Sequence, residues 1–326
     1  MSTVSLEARQ RMMLEEALGP LVRAALATPR TVEVLVNADG TIWHEVHGTG
    51  MVCVGMQDPR TTEATIRLVA ALNQAEIHRR QPSLDAVLPT GERFKGFLPP
   101  RTRGPAYCIR CPQAQALTRE DYVPACCPAE VWDLLARAVV GRTNVLLVGG
   151  MSSGKTTLMN ALIRLIPPHT RVASMEDTAE LTLSMPNHLQ LYTSADADLQ
   201  AVVKEGFRTA AQRILVGEIR DGVTAINTLK LWLGVGGGIA TTHADSARDA
   251  LTRLAYLCAE VGAGTYQPLL GDVIDLIVFM ENIQGQRLIS EVVRVYAWKG
   301  DRYDMETVWQ RPGNAGAAGA DAGVGG

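Results

Sequence analysis

The chain has 326 residues, 47% of them hydrophobic, with 31 basic and 34 acidic side chains and a formal net charge of -3. That length supplies two cores rather than one, and the near balance of charge excludes a protein that grips nucleic acid through a bulk positive surface. No run of about 18 uncharged apolar residues occurs, and the N-terminal stretch carries acids and arginines where a secretory signal needs an apolar middle, so a cytoplasmic location is expected.

Taken in order, "LEARQRMMLEEALGPLVRAAL" has helical apolar spacing and predicts one or two helices. "TVEVLVNADGTIWHEVHGTG" alternates apolar and polar residues on both sides of Asp39-Gly40, a hairpin pattern. A helix in "TTEATIRLVAALNQAEI" and short extended pieces in "PSLDAVLPTGERFKGFLPP" and "AYCIRC" complete a small α+β domain, expected over residues 1–125. Pro124 and Pro128 bracket a connection, and the helix "AEVWDLLARAVVG" opens the next domain.

From "TNVLLVGG" onward short apolar strands alternate with helices, which predicts an α/β fold with a mostly parallel sheet over residues 126–312. "DLIVFMEN", "RLISEVVRVYAWKGD" and "RYDMETVWQ" read as a closing meander, and residues 313–326, rich in Gly and Ala, as a disordered tail. Of the six cysteines, Cys108 and Cys111 are spaced C-x-x-C while Cys126 and Cys127 are adjacent. Adjacent thiols suit a tetrahedral zinc site poorly, so reduced, partly buried thiols are expected.

Chemistry concentrates in "GGMSSGKTT", Gly149, Gly150, Met151, Ser152, Ser153, Gly154, Lys155, Thr156 and Thr157. It matches the phosphate-binding loop of nucleotide hydrolases and sits between a buried strand and an amphipathic helix, where backbone N–H groups face phosphates. Lys155 is expected to reach the β- and γ-phosphates and the Thr156 hydroxyl to ligate Mg²⁺. Hydrolysis also needs an acid at a neighbouring strand end, which "RILVGEIR" supplies as Glu218 and "SMEDTAEL" as Glu176. Asp177 and Glu180, in the same cluster, read as functional acids or, nearly as readily, as a helix cap and a solvated turn. A strand ending in Thr241, Thr242 and His243 brings hydroxyls and an imidazole to the same sheet edge, with His243 a candidate γ-phosphate sensor.

These four boxes, in this order and spacing, resemble the Walker A, Asp, Walker B and His boxes of the secretion (traffic) ATPases, most closely the type IV secretion branch. The resemblance implies a RecA-like P-loop NTPase C-terminal domain behind a smaller α+β N-terminal domain, with ATP held between them. It implies a homohexameric ring on the cytoplasmic face of the inner membrane that drives a pilus or DNA-transfer channel with inner-membrane channel and coupling proteins; the acidic balance and few aromatics of the sequence itself lead to no expectation of sequence-specific nucleic acid binding. Carried over, Glu176 is the general base, Glu218 the Walker B acid and a metal ligand beside Thr156, and His243 the His-box residue; the roles of the two glutamates are interchangeable. Arg103 and Arg110, in "RTRGPAYCIRCP", become candidates for contacting phosphates across the domain gap, and Arg208 and Arg213 also fall on family arginine positions. The chain departs from its relatives in Ala210-Ala211 and in "LGVGGG", and its C-terminal half lacks the four-cysteine insert of many type II enzymes. A pilus or type II motor, or a nucleotide-gated scaffold, stands as the alternative function.

Overall fold

A computed structural model describes residues 6–46, 50–111, 117–194, 196–262 and 264–312; the expected disordered tail at 313–326 lies outside them. The chain divides into two compact units, residues 1–115 and 116–326.

The first unit opens with helix α1 (Leu6–Ala27), broken at Gly19, whose φ of 76° leaves the helical region just before Pro20, so the stretch is two helical segments end to end. Strands β1 (Thr31–Val36) and β2 (Thr41–Val46) form the expected hairpin, with Gly40 at φ 86° and the Asp39 carboxylate accepting from the Thr41 amide at 2.9 Å. β3 (Gly50–Met56) follows, then helix α2 (Pro59–Leu72), capped by the Asp58 side chain on the Arg60 amide, and strands β4 (Ser83–Val87), β5 (Arg93–Phe97) and β6 (Ala106–Arg110). All pairings are antiparallel in the order β3-β2-β1-β6-β5-β4. Leu14, Leu18 and Val22 of α1 and Ile66 and Val69 of α2 bury against Val34, Phe94 and Ile109 of the sheet.

The second unit starts with the short helix α3 (Arg119–Tyr122) and with α4 (Ala129–Val140), joined by stacking of Tyr122 on Trp132. Then come β7 (Val145–Gly149), α5 (Lys155–Ile163), β8 (Val172–Glu176), β9 (His188–Tyr192), α6 (Leu199–Glu205), β10 (Arg213–Val216), α7 (Gly222–Val235), β11 (Ile239–Thr242), α8 (Ala247–Val261), α9 (Gln267–Val273), β12 (Leu276–Ile283), β13 (Gln286–Trp298) and β14 (Tyr303–Gln310). The sheet order is β14-β13-β12-β7-β11-β10-β8-β9. The six strands from β12 to β9 run parallel, and β13 and β14 close one side as the antiparallel meander.

Helices on both faces explain why the strand sequences are continuously apolar. In β7 every residue is buried: Val145 and Leu147 point to the face covered by α4 and α5, Leu146 and Val148 to the face covered by α7 and α8. Because the strands are parallel, the carboxyl ends of β7, β8, β10 and β11 share one edge. That is where the fold gathers ligand-binding groups.

Candidate functional site

The loop after β7 is shaped by backbone conformations that side chains resist. Gly149 has φ 154° and Gly154 φ 94°, and Ser152 is left-handed at φ 56°. A Cβ on Gly149 would lie 2.2 Å from the Met280 carbonyl and 2.6 Å from Ser153 Oγ, so only glycine lets the loop turn there. Gly150 has open space on its side-chain face, and Met151 is exposed. Ser153 Oγ is buried and has no hydrogen-bond partner among the described residues. Thr156 and Thr157, in the first turn of α5, are half-buried.

Lys155 is buried, and its ammonium donates to the carbonyls of Gly149 at 2.8 Å and Gly150 at 2.7 Å. It also lies 3.3 Å from His243 Nδ1, just beyond the end of β11. His243 Nε2 in turn lies 2.7 Å from Glu218 Oε1, beyond the end of β10. Burial, with the Lys155 charge second, holds the imidazole below its ordinary pKa and keeps it neutral near pH 7. The neutral ring then accepts from Lys155 at Nδ1, while its Nε2 edge faces Glu218 Oε1, a buried oxygen with no hydrogen-bond partner among the described residues. The Gly149 carbonyl, 3.2 Å from Nδ1, is the partner a second ring proton would take.

Glu218 Oε2 is held from the other side by Arg220, whose Nε donates at 2.7 Å, while Arg220 Nη1 reaches Asp177 Oδ2 at 3.0 Å. An unbroken series of polar contacts therefore runs from Lys155 through His243, Glu218 and Arg220 to Asp177. Arg220 closes "RILVGEIR" without being one of the expected site residues. Its signal was present: in the extended "GEIR" segment it stands two positions from Glu218, on the same side.

Glu176 occupies a different environment. It is buried at the end of β8; its Oε1 accepts from Ser174 Oγ at 3.0 Å, and its Oε2 from the amides of Glu180 at 2.8 Å and Leu181 at 2.7 Å. Burial raises its pKa, and those hydrogen bonds pull the other way. The carboxylate shapes the turn that follows it. Asn160 of α5 fastens the same turn, donating to the Glu180 carbonyl at 2.9 Å and accepting from the Thr182 amide at 2.8 Å. The hydroxyls of Thr241 and Thr242 are likewise committed, to the carbonyls of Gly217 at 2.7 Å and Ile219 at 3.0 Å, and hold the segment that carries Glu218.

Two arginines lie away from this edge. Arg213 begins β10 at the opposite end of the sheet, where it is 2% exposed and donates to the Val139 carbonyl at 2.6 Å. On that family arginine position it is the strand's first residue, at the end of the sheet away from the carboxyl edge. Arg208 is exposed in the 3-10 turn behind α6. Arg103, in the turn before β6, and Arg110, the last residue of β6 opposite Glu33, are exposed residues of the first unit. Arg287, on β13, was not anticipated: its stem packs on Gly154, and its Nε donates to the Ser152 carbonyl at 3.3 Å.

No helix among the described residues is long and apolar enough to cross a membrane. The family described as "Type II/IV secretion system protein" matches residues 26–319. Conjugal transfer protein TrbB of Rhizobium radiobacter is 36% identical over 299 residues, spanning 90% of this chain and 92% of the relative. Type IV secretion system protein PtlH of Bordetella pertussis is 30% identical over 302 residues, spanning 81% and 89%. Among solved structures, the pilus retraction motor PilT with bound ADP superposes with a TM-score of 0.59 at 17% identity, covering 88% of this chain and 80% of that one, a likeness of fold.

Proposed function

The chain belongs to the type II/IV secretion system protein family, and we propose that it is a Mg²⁺-dependent ATP hydrolase that powers a conjugative or type IV secretion apparatus. The observation that carries this reading is the contact series joining the phosphate-binding loop to a carboxylate, Lys155 to His243 to Glu218. A loop that only binds nucleotide needs the lysine but has no use for an acid held by two basic side chains.

The residues fit a nucleotide and its metal. The unpartnered Ser153 hydroxyl and the turn closed to any Cβ at Gly149 suit phosphate oxygens approached by backbone. Mg²⁺ takes few protein ligands beside phosphate and water, and the Thr156 hydroxyl and Glu218 are the donors this edge offers. Bound there, the ion would neutralise charge on the phosphoryl oxygens. Lys155 would exchange its loop carbonyls for the β- and γ-phosphates. His243, released from Lys155 by that movement, would report the γ-phosphate to Glu218. Glu218 is the carboxylate placed to orient water at the reacting end, while Glu176 is a positioning residue that fixes the turn at 177–181.

The remaining assignments rest on kinship with the conjugal transfer and type IV secretion proteins. The working form is a homohexameric ring, peripheral to the inner membrane on its cytoplasmic side, and Arg103 and Arg110 serve it as nucleotide-phosphate contacts. Phosphate release by the purified chain with ATP and Mg²⁺ tests the reading. Wild type should turn over and Lys155→Ala should lose about 100-fold or more, as expected for removal of a charge-stabilising group. Equal release by both proteins would sink it.

A further inference from the structure

At the amino ends of β7 and β12, the end of the sheet opposite the phosphate-binding loop, the second unit opens a cavity of about 600 Å³. Leu134 and Ala138 of α4, Leu276 of β12 and Val295 of β13 give it an apolar lining, and the exposed side chains of Arg137 and Arg294 stand over it. Arg142 also lines it but is spent, since its guanidinium donates to the carbonyls of Gln212 and Val235. Among the described residues one carboxylate lines the cavity, Asp275; burial raises its pKa, while the Asn144 amide, donating at 2.7 Å, and the charge of Arg294 pull the other way.

The end of α4 would ordinarily offset positive charge here, because the last carbonyls of a helix carry its negative pole. Arg213 removes that offset. Its buried guanidinium lies against the Val139 and Val140 carbonyls, with no carboxylate ion-paired to it among the described residues. Four guanidinium groups thus surround the end of α4, and the helix pole is already neutralised by the buried one. Arg137 and Arg294 make no ion pair among the described residues either; Glu306, across the ladder from Arg294, takes the hydroxyl of Tyr296.

We propose that this groove docks an acidic segment of a protein partner, one that sets an Asp or Glu carboxylate on Arg137 and Arg294 and an aliphatic side chain on the apolar floor. Planar guanidinium groups match carboxylates geometrically, and a cavity of this size takes a few residues of chain. Nucleic acid fits less well: two available arginines beside Asp275 neutralise few phosphates, and the chain's net charge of -3 gives no wider attraction. A lipid surface fits less well because the binding groups line a concavity rather than a face.

The test is fluorescence anisotropy with the full chain and a labelled peptide of Glu, Leu and Gly, against the same peptide with Gln for Glu. It needs no ATP, so its outcome is separate from that of the hydrolysis reading. The Glu peptide should bind at least about tenfold more tightly than the Gln peptide, and Arg137→Glu combined with Arg294→Glu should abolish that preference. Arg137→Gln with Arg294→Gln serves as the milder pair, and Arg253→Glu, at an exposed position on α8, should leave binding unchanged. The proposal falls if wild type does not bind the Glu peptide, if both arginine pairs bind it as wild type does, or if Arg253→Glu weakens it equally. It also falls if an oligonucleotide or phosphatidylglycerol vesicles displace the peptide and themselves require Arg137 and Arg294.

Discussion

At the scale of single residues the site is governed by which charges are already satisfied. Glu176 and Glu218 are alike in sequence, each an acid at or just past a strand end, yet one is closed into its own turn and the other is gripped between His243 and Arg220. His243 offers a direct check on this electrostatics. Its pKa is depressed below the ordinary 6.5, by burial first and Lys155 second, so the folded chain favours the neutral ring. Stability from that preference is complete above the unfolded value and is lost as pH falls from there through the lower folded pKa. A proton NMR titration of the ring should therefore give a midpoint below 6.5 in wild type and a higher one in Lys155→Ala, where the repelling ammonium is gone. A wild-type midpoint above 6.5 would mean that Glu218 outweighs both effects.

At the scale of elements, close approach decides what the sequence can vary. Gly222 opens α7, where a Cβ would lie 1.9 Å from the Leu257 carbonyl of α8 and 2.6 Å from Val261. Gly222→Ala should push the two helices apart and cost about 3 kcal/mol, read as a fall in the thermal midpoint of the full chain. An unchanged midpoint would show that α7 and α8 are not packed at this distance. The same scale separates what sequence discloses from what it hides. β7, the loop and α5 were legible because an apolar run, a glycine pattern and a helical period follow one another within 20 or so residues. β9 was not, since "HLQLY" lies at the sheet's outer edge, largely unburied, and lacks the apolar run of its neighbours. α9 is seven residues with a proline near its start, too short to show a period. The burial of Arg213 was also hidden, because arginine is ordinarily a surface residue and its place against the end of α4 depends on a contact 74 residues away in sequence.

At the scale of the molecule, two units of different construction share one chain. The first has an antiparallel sheet with two helices, and the second a mainly parallel sheet covered on both faces, whose carboxyl edge collects the phosphate-binding loop, Glu218 and His243. Hydrolysis centred on that edge, with Glu218 and not Glu176 as the reacting carboxylate, is most directly tested by phosphate release from the full chain carrying Glu218→Gln or Glu176→Gln. Light scattering would confirm that each variant assembles as wild type does. Gln at position 176 can still accept from the Glu180 and Leu181 amides and donate to Ser174, so turnover should stay within about threefold of wild type. Gln at 218 keeps the shape but loses the charge, and should fall by about 100-fold or more. A silent Glu176→Gln beside an active Glu218→Gln would reverse the assignment of the two carboxylates.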